Sequence, residues 1–136
     1  MPAGFEGRCA CGAVSYSCSA APLAMVNCHC RDCQRAGGAG HSPTVIVSRA
    51  QFRITRGEPR YFESVAESGN TAQRAFCAEC GSPLFASPAG SDFVGIRAGS
   101  LDDPSWFRAT ISFWADSAQP WDVIDPSMAR FPKGRT

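Results

Sequence analysis

What the chain lacks narrows its reading before any motif is considered. Across 136 residues there is no surplus of charge of either sign, 13 basic residues against 12 acidic leaving a formal +1, so the positive excess that nucleic-acid binding relies on is missing. Lysine occurs once, at Lys133, and the arginines that supply the rest (Arg49, Arg53, Arg56, Arg60, Arg74, Arg97 and Arg108 among them) are scattered. Solvated faces with apolar stems lying on a sheet account for that scatter better than a nucleic-acid groove, and no nucleic-acid partner is expected. Long apolar runs are absent as well. The stretch from Ala36 to Val47 is uncharged but holds Gly, His, Ser, Pro and Thr, and falls short of the roughly 18 apolar residues a membrane span needs. Met1 to Arg8 shows no basic n-region leading into an apolar stretch, so a cytoplasmic, reducing setting is expected. With 44% hydrophobic and 18% charged residues the composition is that of a soluble folded chain, and the length predicts a single zinc-binding domain over 1–136.

Gly, Pro, Ser and Asn interrupt the sequence at short intervals, and the runs between them are rich in Val, Ile, Phe, Tyr and Thr. This spacing predicts a mainly β, mainly antiparallel domain, with strands near Phe5 to Cys9, Ala13 to Cys18, Ala24 to Cys28, Thr44 to Val47, Phe52 to Thr55, Arg60 to Ser64, Gln73 to Phe76, Leu84 to Ala86, Phe93 to Arg97 and Thr110 to Trp114. In the second of these, Val14, Tyr16 and Cys18 alternate with Ser15 and Ser17, which places Cys18 on a buried face as a small hydrophobe rather than a metal ligand. One short helix is predicted from about Cys30 to Arg35, closed by Gly37 and Gly38. The aromatics of the later chain (Trp106, Phe107, Phe113, Trp114, Trp121) read as core filler or as a wall beside a pocket, and the tail from Phe131 onward as loose.

Eight cysteines stand out, seven of them in tight clusters. Disulfides need an oxidising compartment, and a C-x-C pair closes badly as one, so zinc is the better reading. Cys9-Ala10-Cys11-Gly12 and Cys77-Ala78-Glu79-Cys80-Gly81 each end in glycine. The second has the form of a zinc knuckle, a tight turn that aims both thiolates at one ion, and a C-x-C in an extended segment puts both side chains on one side. Together they offer four thiolates, a closed tetrahedral set. Cys28-His29-Cys30-Arg31-Asp32-Cys33 differs: Cys28, Cys30 and Cys33 converge without an obvious fourth ligand, the pattern of a site that keeps a position for substrate. His29 alternates to the opposite face and reads as a packed histidine. His41, beyond a glycine-rich stretch, is a candidate to fold over the open site, and Asp32 reads as a helix-surface group or one hydrogen-bonded behind the ligands. Seven ionised thiols with two zinc ions would turn the formal +1 into −2.

The ordered set G-R-C-A-C-G at Gly7 to Gly12, C-H-C-R-D-C-Q-R at Cys28 to Arg35, F-C-A-E-C-G at Phe76 to Gly81 and the late Q-P-W at Gln119 to Trp121 resembles the glutathione-dependent formaldehyde-activating enzyme family, which also includes centromere protein V. The resemblance implies the β-tent fold, small antiparallel sheets meeting around zinc with one short helix, similar to methionine sulfoxide reductase B and Rab-associated zinc proteins. It further implies that Cys9, Cys11, Cys77 and Cys80 hold a structural zinc, that Cys28, Cys30 and Cys33 hold a catalytic one, and that the chain condenses glutathione with formaldehyde to S-hydroxymethylglutathione, a carbon-sulfur lyase run in reverse. Thr110 departs from the pattern, since many members carry a histidine before the isoleucine of this strand.

On the residues alone, the open three-cysteine set suits an enzyme that holds a substrate thiolate near an electrophilic carbon. The alternatives are a non-catalytic thiol carrier or zinc-stabilised interaction module, in which the open site binds without turnover, and a redox protein in which Cys77 and Cys80 are reactive rather than metal-bound.

Overall fold

The computed structural model describes residues 2–66 and 68–134. Eleven strands are present: β1 (Phe5–Arg8), β2 (Ser15–Cys18), β3 (Ala24–Cys28), β4 (Ser42–Ser48), β5 (Phe52–Arg56), β6 (Arg60–Val65), β7 (Thr71–Phe76), β8 (Pro83–Pro88), β9 (Phe93–Arg97), β10 (Ile111–Phe113) and β11 (Ala129–Arg130), with one α-helix, α1 (Arg31–Gly37). The mainly β expectation holds, and each of the ten strands anticipated from turn spacing is found. Two unequal sheets result. One has the order β1-β2-β5 and the other β11-β10-β3-β4-β9-β8-β7-β6. Pairing is antiparallel except at β10, which runs parallel to both β3 and β11. Hairpins cannot make parallel pairs, so this contact needs the long return of chain that separates β3 from β10.

The register of the large sheet sorts its residues into two faces. Across β4, β9, β8 and β7 one row runs Val45, Ile96, Phe85, Ala75, and the next runs Ile46, Gly95, Ala86, Arg74. The first row, with Val47, Leu84 and Val94, packs against Val14, Tyr16 and Cys18 of the small sheet to form the core. Phe52 bridges the sheets, its ring 4.8 Å from that of Phe85 and 5.4 Å from that of Tyr16. In β2 the burial alternates as Ser15 and Ser17 half-buried, Tyr16 and Cys18 buried. Cys18 is therefore a core residue, its thiol directed at the Ala20 carbonyl. The second row is open in the middle, because Gly95 and Ala86 have almost no side chain to fill it.

The C-terminal segment corrects one expectation. Rather than hanging loose, Phe131 donates its N–H to the Ser112 carbonyl (2.9 Å) and accepts from Ala115 (3.0 Å), and its ring lies 5.5 Å from that of Phe113. Trp114 N–H donates to the carbonyl of Lys133. The part of the tail that holds Arg135 and Thr136 lies outside the described residues. Among the described residues no helix is long and apolar enough to cross a membrane.

Candidate metal centres and the cavity beside them

Cys9 and Cys77 each open a turn with the same hydrogen bonds. Gly12 N–H returns to the Cys9 carbonyl (3.2 Å) and Gly81 N–H to that of Cys77 (2.8 Å); the cysteine amides then bond to Val14 and Ser82. Both glycines sit at positive φ, 80° and 75°, where a side chain would be strained. The two turns meet where the β1–β2 hairpin of the small sheet reaches the β7–β8 hairpin of the large one, and Ala10 N–H donates to Ser82 Oγ across the gap. Four sulfur atoms result, all within 4.8 Å of one another. Sγ of Cys11 is 3.7 Å from that of Cys9 and 3.7 Å from that of Cys77. A tetrahedron with Zn–S bonds of about 2.3 Å has edges of about 3.8 Å, so the two edges from Cys11 already have the length a zinc site needs.

Protonation in this cluster is uneven. Ser82, through hydroxyl and amide, and the Cys11 amide hold the Cys80 thiol down to about 5. Cys11 accepts from the Ala13 amide, which lowers it, but desolvation and the thiols of Cys9, Cys80 and Cys77 push it up to about 12. Four adjacent thiols cannot all ionise unaided, and a divalent cation removes that conflict.

The second cluster lies at the end of β3 and the start of α1. Cys30 is the helix N-cap, its sulfur accepting from the Cys33 amide at 3.3 Å, and the three sulfurs of Cys28, Cys30 and Cys33 lie within 4.8 Å of one another. Hydrogen bonds from the Cys28 and Cys30 thiols, helped by the charges of Arg97 and Arg74, hold Cys33 down to about 2 against its burial. Cys28 is driven far above the usual thiol range by Cys30 and Cys33 and by its own burial. The first negative charge therefore settles on Cys33, and full ionisation again calls for a cation.

These thiols rim a cavity of about 270 Å³ on the hollow face of the large sheet, walled by Val26, Ile46, Phe93 and Phe113 and floored by Gly95 and Ala86. Arg74 and Arg97 enter it from β7 and β9. Arg97 donates to Thr44 Oγ1 (2.9 Å) and Arg74 to Ser64 Oγ (3.1 Å), while Nε of Arg74 is buried with no hydrogen-bond partner. In the sequence both lie among the scattered arginines, and only strand register brings them together. Among the described residues the lining contains no fourth cysteine and no His, Asp or Glu.

His41 does not fold over these thiols. It bonds through Nδ1 to Asp122 Oδ2 at 2.8 Å, and its ring lies tilted 5.1 Å from that of His29, which is buried at 1% exposure as the alternation along β3 implies. Asp32 lies in the first helical turn and does not line the cavity. Of the late aromatics Phe113 walls the cavity, whereas Trp106 packs on the core against Phe5 at 5.1 Å and Trp121 is exposed.

The fold has a solved counterpart. A crystal structure of a Rhodobacter sphaeroides protein, a structural-genomics target, matches with a TM-score of 0.57 at 21% identity over 72% of this chain and 88% of that one. At that identity the likeness speaks for the fold. No curated protein matches the chain. The model of one protein family does, over residues 4–117, a span that takes in both thiol clusters, the cavity arginines and Phe113. The chain thus belongs to the glutathione-dependent formaldehyde-activating enzyme family.

Proposed function

We propose that the chain catalyses the condensation of a small thiol, glutathione, with formaldehyde to S-hydroxymethylglutathione, with Cys28, Cys30 and Cys33 as the ligands of a catalytic zinc and Cys9, Cys11, Cys77 and Cys80 as those of a structural one. The observation that carries this reading is the three-thiol rim without a fourth protein ligand, opening on an apolar cavity lined by Arg74 and Arg97, whose charges act on the Cys33 thiol. Zinc bound there would keep a substrate thiol ionised at neutral pH. The chain's own residues do the rest. Val26, Ile46, Phe93 and Phe113 give the cavity an apolar wall, which strengthens the charge interactions beside it. Arg74 and Arg97 offset the negative charge of the thiolates and of the incoming substrate. As the thiolate electron pair forms the C–S bond, the C=O π pair moves onto oxygen, where the guanidinium N–H groups donate to it. A proton from water, matching the one the thiol gave up, completes the hydroxyl, so that thiol plus formaldehyde gives the adduct with nothing left over.

Because thiols add to formaldehyde unaided, the test is exchange rather than net reaction. Two-dimensional exchange NMR of glutathione and formaldehyde at equilibrium should show faster interconversion with the protein than without it. An unchanged rate overturns the proposal, and glutathione binding by calorimetry without acceleration would instead mark a carrier.

A further inference from the structure

A second set of donors lies on the other side of the Cys28–Cys30 segment. His29 reaches it from the end of β3, His41 from the loop before β4 and Asp122 from the loop after β10. The Nδ1 atoms of His29 and His41 stand 3.2 and 2.8 Å from the same oxygen, Oδ2 of Asp122, and one donor atom of each residue falls within 4.8 Å of the other two. None of the three lines the thiol cavity, so the cluster is separate from the site proposed above.

One observation points to a ligand here. Nδ1 of His29 is buried and makes no well-aligned hydrogen bond, although Asp122 Oδ2 is only 3.2 Å away and the Gly40 carbonyl also faces the ring; the atoms are close but poorly aligned for N–H···O. Nε2 of the same ring lies 3.4 Å from Ser112 Oγ. The ring has two tautomers: with the proton on Nδ1 the contact is a bent N–H···O bond to Asp122, and with the proton on Nε2, Nδ1 turns a bare lone pair towards a carboxylate oxygen in a nearly dry place, a conflict that a cation between them resolves. The chain also makes room for the carboxyl: a Cβ at Gly40 would come within 2.5 Å of Asp122 Cβ and Cγ. Behind the cluster, Gln34 donates to the carbonyls of His29 (2.7 Å) and Ser117 (2.9 Å), tying β3 and α1 to the chain that leads to Asp122.

We propose that His29, His41 and Asp122 form a third metal site, an N₂O set for a borderline divalent ion such as Zn²⁺. Bonds of about 2.0–2.2 Å imply ligand-to-ligand edges of about 3.3 Å in a tetrahedron. The His29 edge already has that length, and the His41 edge needs to open by about half an ångström, a small move for a loop residue. His41 is 27% exposed, which leaves the outer position to water. The ion would clamp the Asp122 loop onto the strand end that carries the proposed catalytic cysteines.

The test is metal content and spectroscopy on the full chain loaded with Co²⁺ and dialysed against metal-free buffer. Wild type should retain one equivalent more than His41→Ala or Asp122→Asn. The extra ion should add d–d absorption without sulfur-to-cobalt charge transfer, and the charge-transfer bands should be equal in all three proteins. Equal metal content overturns the proposal. Ring ¹⁵N NMR of the wild type decides the matter even where a variant folds poorly: Zn²⁺ added beyond saturation of the thiols should move Nδ1 of both histidines, and unmoved signals also overturn it.

Discussion

The four-thiol and three-thiol clusters use one kind of side chain and differ in where the chain draws it from. Cys11 and Cys77 are 66 residues apart and lie in hairpin turns of different sheets, so an ion there would join distant segments of the chain. Cys28, Cys30 and Cys33 fall within six consecutive residues on a strand end and its helix cap, so an ion there would tie no distant segments together. On the proposed assignment, a remote set is committed to folding, whereas a local set, carried by a scaffold that stands without it, is free to leave a position open for substrate.

Cys77→Ala is the harshest way to break that comparison. Structural zinc contributes on the order of 10 kcal/mol or more, as much as a domain's whole stability, so the variant should yield insoluble or unfolded protein by circular dichroism. Cys30→Ala should fold, with a loss of about 1 kcal/mol from the missing cap contact with the Cys33 amide, one metal equivalent fewer and no accelerated exchange. Equal loss of folded protein in both variants would erase the distinction. Arg97→Gln sharpens it: metal content should stay at the wild-type value while exchange slows roughly 100-fold, as for loss of one oxyanion donor. In the metal-free protein its Cys33 thiol should titrate higher, read by alkylation rate against pH, because the Arg97 charge is one of the causes that lower it.

The smallest effect concerns the link between the regions. Tyr16 hydroxyl meets Ser100 Oγ at 2.6 Å, and Ser100 donates to the Arg97 carbonyl at 2.8 Å. Tyr16→Phe should cost about 1 kcal/mol by denaturant melting and leave exchange unchanged. Burial raises the Tyr16 hydroxyl above its ordinary value of 10.0. Its neutral form is therefore favoured by folding; that stability is intact below about pH 10 and is lost as the unfolded chain ionises above it. The phenylalanine variant should lose this part of the alkaline slope.

Much of this was legible in the sequence. Turn residues at short intervals located all ten longer strands, and Gly37-Gly38 marked the end of the one α-helix, where Gly38 is indeed the left-handed cap. The thiol clusters could be read because their members are close in sequence or end in glycine. Arg74 and Arg97 could not: they share the cavity only through the register of β7, β8 and β9, with Ala86 and Gly95 between. Asp122 met two histidines through a loop with no periodicity, and β11 is two exposed residues, too short for any pattern to show. The parallel placement of β10 depends on a long return that local sequence does not encode.

That return fixes when the cavity can exist during synthesis. In the β3–β10 pair, Phe113 stands opposite Cys28, so the aromatic wall beside the thiols is made by a residue translated 85 positions later. Until it docks, three adjacent thiols sit on an uncovered sheet edge, open to oxidants and to other chains. A newborn molecule of this protein thus passes through an interval in which the thiols of the proposed catalytic site are complete and their shelter is not.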